Sequence, residues 1–305
     1  MKRTRYRLIH LSMTNLLSRR LLRQFLSKDP TLSSIYEFSP AELNLHYSIP
    51  MKTATHLYQT LRDPHLRKIV IDALNTYKII TIVDETYPAV LRTIKDAPMV
   101  LYCLGDIEIL KQNKLLSVIG SRKPSMEARP KMDYILTPLV KEHWVIVSGM
   151  ARGIDGYAHE LALKLKGRTI AILGGGFEYI YPSEHIPLFK EIVQTGLVIS
   201  EYPPFTKPAR YHFPERNRII SGLSFGTLVI EAMEKSGTMI TVDQALEQGR
   251  EVFAVPGSPL IQQTKGCHLL IQEGAKLTHH ANDIREEWLR QQEYGKENTA
   301  VSTSN

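Results

Sequence analysis

The first 76 residues place apolar side chains at helical spacing. In "NLLSRRLLRQFL" (15–26) and "LRKIVIDAL" (66–74), apolar residues recur three and four positions apart, which predicts a buried stripe along each of two short helices. Four prolines interrupt this pattern, at Pro30, Pro40, Pro50 and Pro64. Residues 1–76 are therefore predicted to form a small all-helical N-terminal domain.

The pattern changes at "YKIITIVD" (77–84), after which short apolar runs alternate with amphipathic stretches. Such alternation predicts βα units around a parallel sheet. The runs are apolar throughout, as strands covered by helices on both faces must be. Six candidate strands follow from this pattern: 115–120, 144–149, 168–176, 197–201, 226–232 and 250–257. The fold class is therefore α/β over residues 77–288, with a mostly parallel sheet and helices on both faces.

Composition narrows the function classes. No run approaches the roughly 20 apolar residues of a membrane span, and the basic N-terminus lacks the apolar region of a signal peptide, which indicates a cytoplasmic protein without a membrane partner. The two cysteines, Cys103 and Cys267, have no paired spacing that would suggest zinc or a redox dithiol. No metal and no cofactor are predicted. After Trp288 the chain turns polar, which predicts a disordered tail over 289–305.

Basic and small residues follow the predicted strands. The net charge is +7, and arginines stand in "GSRKPS" (120–125), "SGMARGID" (148–155) and "FPERNR" (213–218), while "GGGFEYIYP" (174–182) supplies glycines. The carboxyl ends of parallel strands share one edge of a sheet, where exposed amides bind anions. A phosphate-facing rim is therefore expected from these loops, through Gly120, Ser121, Gly149, Gly153, Gly174, Gly175 and Gly176. Any one of these glycines could instead serve an ordinary turn.

The same loops lack the nucleotide signatures. Neither G-x-x-x-x-G-K-[ST] nor a dinucleotide fingerprint occurs. Candidate catalytic groups are few: His159 lies on an apolar helical face, as packing histidines do, and Asp155 and Glu231 are interpreted as capping or arginine-pairing residues. The chain is therefore interpreted as a binding protein and not as an enzyme.

The segment "HFPERNRIISG" (212–222) joins positive charge to a buried stripe. Pro214 suits the first turn of a helix, and the apolar residues that follow continue it into the core. Arg216 and Arg218 are two positions apart, about 200° around a helix axis, so one is expected to face a ligand and the other to brace a carboxylate or a loop. Phe213 either stacks on a base beside this charge or fills the core.

Eight segments, in this order, resemble the DprA/Smf (DNA-processing protein A) family. They are "DETYPAVLRTIKDAPMVLYCLG" (84–105), "VIGSRKPS" (118–125), "VSGMARGIDGYAHELAL" (147–163), "ILGGGFEYIYP" (172–182), "ISEYPP" (199–204), "FPERNRIISGLS" (213–224), "VIEAMEKSGTMITVDQALEQGREVFAVPG" (229–257) and "GCHLLIQEGA" (266–275). The resemblance implies an extended Rossmann-like domain, preceded here by helices where some members carry a SAM-like domain. Many members also carry a C-terminal winged helix, which is not expected in the short stretch after Trp288.

The resemblance also implies a function and a set of site residues. Members bind single-stranded DNA without sequence preference, form homodimers, and deliver incoming strands to the recombinase RecA during natural transformation. Matching motifs assign the DNA pocket to Arg122, Lys123, Arg152, Arg210, Phe213, Arg216 and Arg218. The family's dimer contact corresponds to 266–277, where Leu270, Ile271 and Leu277 either form an apolar patch or belong to the core.

Two other functions stay open at this point. Rossmann-like enzymes that hydrolyse nucleoside phosphates place glycine-rich loops and a carboxylate at the same edge, as Glu231 does, although their P-G-G-x-G-T-x-x-E signature is absent. A regulator that binds duplex DNA is the third possibility.

Overall fold

A computed structural model describes residues 2–302, and the surroundings of side chains over residues 2–293. Six helices form the N-terminal region: α1 (Lys2–Met13), α2 (Arg19–Lys28), α3 (Ser34–Glu37), α4 (Pro40–Tyr47), α5 (Met51–Thr60) and α6 (Pro64–Thr76). Ser18 accepts a hydrogen bond from the Leu21 amide at the start of α2, and Ser39 and Glu42 form a reciprocal capping box ahead of α4. Three of the four interrupting prolines thus stand at helix starts.

Nine strands form one sheet: β1 (Lys78–Thr81), β2 (Val100–Gly105), β3 (Leu115–Ile119), β4 (Val145–Ser148), β5 (Thr169–Leu173), β6 (Leu197–Ser200), β7 (Gly226–Val229), β8 (Glu251–Ala254) and β9 (Lys276–Leu277). Their order is β1-β2-β6-β5-β4-β3-β7-β8-β9. Strands β3 to β9 pair in parallel, whereas β2 pairs antiparallel with both β1 and β6. The predicted α/β fold with a mostly parallel sheet is confirmed, and all six candidate strands contain one.

Helices cover both faces of the sheet: α7 (Ala89–Arg92), α8 (Ala128–Lys141), α9 (Ile154–Lys164), α10 (Ile186–Thr195), α11 (His212–Leu223), α12 (Gly237–Glu247), α13 (Lys265–Gln272) and α14 (Ala281–Ser302). In β5, Ile170 and Ile172 join the apolar layer that contains Ile219 and Ile220 of α11. The alternate residue Ala171 belongs to the opposite layer. This alternation requires strands that are apolar along their whole length.

The N-terminal helices share a core with the sheet. Ile9 and Phe25 belong to the same apolar cluster as Leu173 and Val198, and all four side chains are buried. Ion pairs cross the same junction, among them Arg5 Nε to Asp84 Oδ2 at 3.1 Å. The helical region is therefore packed directly on the sheet.

The polar stretch after Trp288 differs from its prediction. The sequence predicts disorder over 289–305, but α14 continues through this stretch to Ser302, and residues 303–305 lie outside the described residues. Glutamine, glutamate and arginine have good helix propensity, and Arg290 pairs with Glu287 one turn earlier. A polar composition alone does not separate such a helix from a disordered tail.

None of the helices described between residues 2 and 302 is both long and apolar enough to cross a bilayer.

The strand order reverses between β3 and β7. From β3 the chain adds β4, β5 and β6 on one side and then returns to place β7 on the other side of β3. The loops after β3 and β7 diverge at this point and leave a crevice, which is where open α/β sheets bind ligands.

Candidate nucleic-acid interface

A cavity of about 450 Å³ lies at this reversal of strand order. Its walls come from the loop after β3, the segment between β7 and α12, and the first turns of α11. Arg122, Lys123 and Lys235 are exposed cations on these walls, and Phe213 and Ile220 supply apolar surface. The combination of cations with apolar and aromatic surface suits a ligand that carries both phosphates and bases.

The loop after β3 is held by a buried carboxylate. Glu231, fully buried after β7, accepts hydrogen bonds from the Ser125 amide at 2.8 Å and from Ser125 Oγ at 2.5 Å. The Ser121 amide donates to the Glu231 carbonyl at 2.8 Å. Lys131 Nζ lies 3.9 Å from Glu231 Oε1. Glu231 therefore fixes the loop that presents Arg122 and Lys123. It acts as a positioning residue and is not an exposed acid.

Gly153 lets the loop after β4 approach this first loop. Its φ is +76°, a left-handed conformation that favours glycine, and a Cβ there would meet the Ser121 carbonyl oxygen and lie 2.9 Å from the Arg122 carbonyl carbon. The Ile154 amide also donates to the Ser121 carbonyl at 3.2 Å. Gly153 thus supports the loop, while Gly120 and Ser121 line the cavity itself.

The other glycines of the expected rim contact protein atoms. Gly149, Gly174, Gly175 and Gly176 are buried. A Cβ at Gly149 would meet the Arg216 guanidinium, one at Gly174 would lie 2.8 Å from the Phe213 ring, and one at Gly175 would lie 3.1 Å from Pro208. At Gly176 it would meet two proline carbonyls. At these four positions glycine allows the close approach of α11 and of the 203–208 segment. That they face a phosphate stays a prediction.

Arg216 forms part of the cavity floor. Only 4 % of the residue is exposed, and its Nη1 donates to the carbonyls of Gly149 and Ile172, at the ends of β4 and β5. Burial lowers the pKa of Arg216 to about 10, against the effect of Asp155. Burial likewise raises the pKa of Asp155, although Arg216 and the Gly149 amide oppose that rise. Arg216 lines the cavity as a fixed charge and not as a mobile surface cation.

Arg218 points to different partners. Its Nη2 lies 2.7 Å from Glu201 Oε1 and its Nε 3.3 Å from Asp96 Oδ2, and the residue is 5 % exposed. Arg19 of α2 reaches the same two carboxylates, each at 3.3 Å. Burial opposes the ionisation of Asp96, but these arginines lower its pKa. Arg218 does not line the cavity; it braces α11 against the N-terminal helices. Its assignment to the DNA contact stays a prediction.

Arg152 and Arg210 are exposed, on the loop after β4 and on the segment before α11. Arg152 Nη2 lies 2.7 Å from Glu184 Oε2, and both side chains are about half exposed, so the pair can separate at little cost when a polyanion competes. Arg210 precedes α11 by two residues, beside the exposed Tyr211. Neither arginine lines the cavity: Arg152 follows the lining residue Ala151, whereas Arg210 precedes Tyr211, which lines a second cavity beside α2.

The sequence interpretation missed the start of α12. The cavity is also lined by Lys235, Ser236, Gly237 and Thr238. Ser236 is the N-cap residue, yet its side chain makes no capping bond, and its Oγ is a buried atom without a partner among the described residues. The buried Arg216 Nε likewise has no hydrogen-bond partner among the described residues. Unsatisfied polar atoms beside a helix N-terminus suit a phosphate group. The sequence feature that could have revealed this part of the site is the "KSGT" turn (235–238) after a predicted strand.

His159 and His185 do not form a reactive cluster. His159 is fully buried with Nδ1 2.6 Å from Thr169 Oγ1, and burial lowers its pKa to about 3. His185 Nδ1 lies 2.9 Å from the Met150 carbonyl. Within the described part of the chain, no cluster of three or more potential metal ligands forms. His159 is therefore held as a neutral packing residue.

The apolar residues expected at a dimer contact have different surroundings. Leu270 is 3 % exposed and belongs to the core, and Ile271 packs partly against that core. Leu277 is 45 % exposed on β9, the strand at one edge of the sheet. Of the three, Leu277 is the most open to a second chain.

Known proteins are similar to this chain in sequence. The family model of DNA recombination-mediator protein A matches residues 78–289. The DNA processing protein DprA of Bacillus subtilis is 46 % identical over 208 residues, which is 68 % of this chain and 70 % of that protein. DprA of Streptococcus pneumoniae is 42 % identical over 231 residues, covering 76 % of this chain and 80 % of the relative.

Two solved structures are also similar. The X-ray structure of DprA from Streptococcus pneumoniae superposes with a TM-score of 0.83 at 36 % identity, over 94 % of this chain and 99 % of that one. DprA from Helicobacter pylori, described for its single-stranded DNA binding mode, superposes with a TM-score of 0.63 at 28 % identity, over 70 % of this chain and 96 % of that one.

Proposed function

The chain belongs to the DNA recombination-mediator protein A family, whose members are DNA-processing proteins, and on that premise we propose that it binds single-stranded DNA without sequence preference. The observation that carries the proposal is the cavity at the strand-order reversal, where exposed Arg122, Lys123 and Lys235 surround Phe213 and the start of α12. Arginine and lysine neutralise phosphates while an aromatic ring stacks on a base of any identity.

The shape of the cavity favours a single strand over a duplex. Its cations lie on the walls of a crevice between two loops and α11, with Arg216 and Asp155 at its floor. Duplex readers present a helix or a ribbon that enters a groove. A crevice can instead receive one flexible strand, whose unpaired bases are free to turn towards Phe213. Most direct contacts would be to backbone phosphates, which carry no sequence information.

The proposal assigns binding and not hydrolysis to this site. A nucleoside-phosphate hydrolase needs a carboxylate that can reach the substrate, but Glu231 is fully buried and both its oxygens accept from Ser125. Asp155 is 8 % exposed and receives the Gly149 amide at 3.2 Å. These two carboxylates hold loops in place, which supports a binding role.

The wider role follows the family. The protein protects incoming single strands in the cytoplasm and loads RecA onto them during natural transformation or homologous recombination. The match to the DNA recombination-mediator protein A family and the similarity to two DNA processing proteins support this step. Self-association would place two such cavities in one assembly, so that one dimer could hold two segments of a strand.

The ligand class is tested by competition. With a labelled oligonucleotide bound, unlabelled single strands of several sequences should displace it at similar concentrations, while a duplex of equal length should require at least about tenfold more. Nucleoside monophosphates should neither displace it at micromolar concentrations nor release free base. The affinity should fall steeply as salt rises, because each neutralised phosphate releases counterions. Preference for the duplex, or release of base, would contradict the proposal.

Self-association is tested at the sheet edge. Leu277→Glu places a charge at an exposed apolar position of β9, so it should shift the protein from dimer to monomer in analytical ultracentrifugation while leaving the thermal midpoint nearly unchanged. Leu289→Glu is the matched control, because Leu289 is 53 % exposed on α14. If Leu277→Glu sediments as the wild-type protein does, this edge is not the dimer contact.

A further inference from the structure

An aromatic row leads out of the cavity. The Phe213 ring has the Arg122 guanidinium 5.9 Å from its centroid on one side and the Tyr181 ring 5.5 Å from its centroid on another. Tyr181 is 52 % exposed, so its ring is available on the surface. Arg122, Phe213 and Tyr181 thus form a contiguous series that starts at the cavity wall and ends on an open aromatic face.

The row continues into a second aromatic and cationic pair. Tyr179 is 39 % exposed, and Lys207 Nζ lies 5.5 Å from the centroid of its ring. Both residues stand on segments that are tied together by backbone hydrogen bonds, from the Gly176 amide to the Thr206 carbonyl at 2.8 Å and from the Glu178 amide to the Pro204 carbonyl at 3.0 Å. The two loops therefore hold Tyr179 and Lys207 at fixed positions beside Tyr181.

The glycines explain why the row lies where it does. Phe213 can approach the turn after β5 only because Gly174 has no side chain: a Cβ there would lie 2.8 Å from the ring. At Gly176 a Cβ would meet the carbonyl oxygens of Pro203 and Pro204. The three consecutive glycines therefore seat α11 and the 203–208 segment against the loop that carries the tyrosines. This accounts for a motif that the cavity itself does not use.

The charges around the row suit a polyanion. Arg152, Lys207 and Arg210 are exposed cations on the loops that carry or adjoin it. The acids on these loops are Glu178, Glu184 and Glu201. Glu184 is engaged by Arg152 through bonds of 2.7 and 2.8 Å, and Glu201 accepts from Arg218 at 2.7 and 2.8 Å. Exposed tyrosines that only completed the fold would have no reason to alternate with cations along one path from a cavity.

We propose that Tyr181 and Tyr179, with Lys207, form a second binding segment on which successive bases of a single strand stack after it leaves the cavity over Phe213. The inference rests on the proposed function, since it extends the same strand beyond the same site. Stacking on an exposed aromatic ring is tolerant of base identity and contributes to affinity base by base. The segment therefore sets the length of strand that one protein molecule holds.

The test uses the full chain and oligothymidylates of increasing length. Tyr181→Trp should lose fluorescence when a long oligonucleotide binds, because a stacked base quenches indole. Of the two native tryptophans, Trp144 is 1 % exposed and Trp288 is half-buried on α14, and titration of the wild-type protein gives their background. Tyr134→Trp provides an exposed control on α8. Tyr181→Ala should weaken binding of long oligonucleotides about tenfold and leave the shortest bound oligonucleotide unaffected. Tyr181→Phe should retain wild-type affinity at every length, since the ring is kept.

The outcomes separate this inference from the proposed function. If the wild-type protein binds no single strand, the proposed function fails. If it binds, but Tyr181→Trp is not quenched and Tyr181→Ala loses no affinity at any length, the second segment is overturned while the cavity assignment stands. An equal loss at all lengths for Tyr181→Ala would also overturn it, because that pattern places Tyr181 in the cavity contact.

Discussion

Arg216→Met is expected to lower the free energy of unfolding by about 3 kcal/mol at pH 7, the typical cost of removing one member of a buried charged network. Methionine fills a similar volume but leaves the Gly149 and Ile172 carbonyls without the donor that Arg216 Nη1 provides. It also leaves Asp155, 8 % exposed, without its buried countercharge. Urea denaturation followed by circular dichroism measures the change.

The pH dependence of the variant identifies the cause. Burial already raises the pKa of Asp155, and Arg216 opposes that rise, so removal of the arginine should raise the pKa further. The folded variant then holds a proton that the unfolded chain releases above its ordinary pKa near 4. The stability of the variant relative to wild type should therefore fall as pH rises above the unfolded-state pKa near 4, and recover towards acid. Asp155→Asn in the same chain should remove this dependence.

A matched control separates burial from charge. Arg210→Met removes the same charge from an exposed position close to α11, so it should change the unfolding free energy by less than about 0.5 kcal/mol. If Arg216→Met denatures at the wild-type urea concentration with no pH dependence, Arg216 is not a fixed, buried charge on the cavity floor. It must then be a cation that is free to contact the phosphate directly.

The sequence predicts the fold well where a single physical requirement acts. Runs such as "RTIAIL" can be apolar throughout only if helices cover both faces, and β5 has alternate residues in two separate apolar layers. The opposed directions of Arg216 and Arg218 also follow from helical geometry alone. The strands β1, β2 and β9 escape prediction because their pairing is decided by tertiary neighbours, such as β6 for β2, and not by their own pattern.

The site is less predictable because the same residue types serve two purposes. Glycine permits a phosphate to approach, but at Gly149 and Gly174 it permits Arg216 and Phe213 to approach instead. Arginine at a helix start can bind a ligand, yet Arg218 binds Glu201 and Asp96, which are distant in the sequence. Whether such an arginine binds a ligand or braces the fold is decided by tertiary contacts, here by Glu201 after β6 and by the packing of α2 against α11. Neither contact is visible in the local motif.

Removal of the three exposed cations of the cavity is expected to weaken single-stranded DNA binding about a hundredfold at 0.1 M salt. Arg122, Lys123 and Lys235 line the cavity from two loops, and all three are exposed. Each phosphate contact to a single strand contributes about 0.7 to the slope of log affinity against log salt, so replacing all three by alanine should reduce the slope by about 2. Fluorescence anisotropy titrations across a salt series measure both quantities.

The control carries the same change in net charge at the other end of the sheet. Lys111, Lys141 and Lys164 are exposed and lie before β3 and at the ends of α8 and α9, away from the carboxyl ends of the strands. Their replacement by alanine should leave the slope within about 0.3 of wild type, because only local ion pairs release counterions from the bound strand. Equal losses in the two triple variants would mean that the net charge of +7 attracts the strand from a distance and that the cavity does not hold its phosphates.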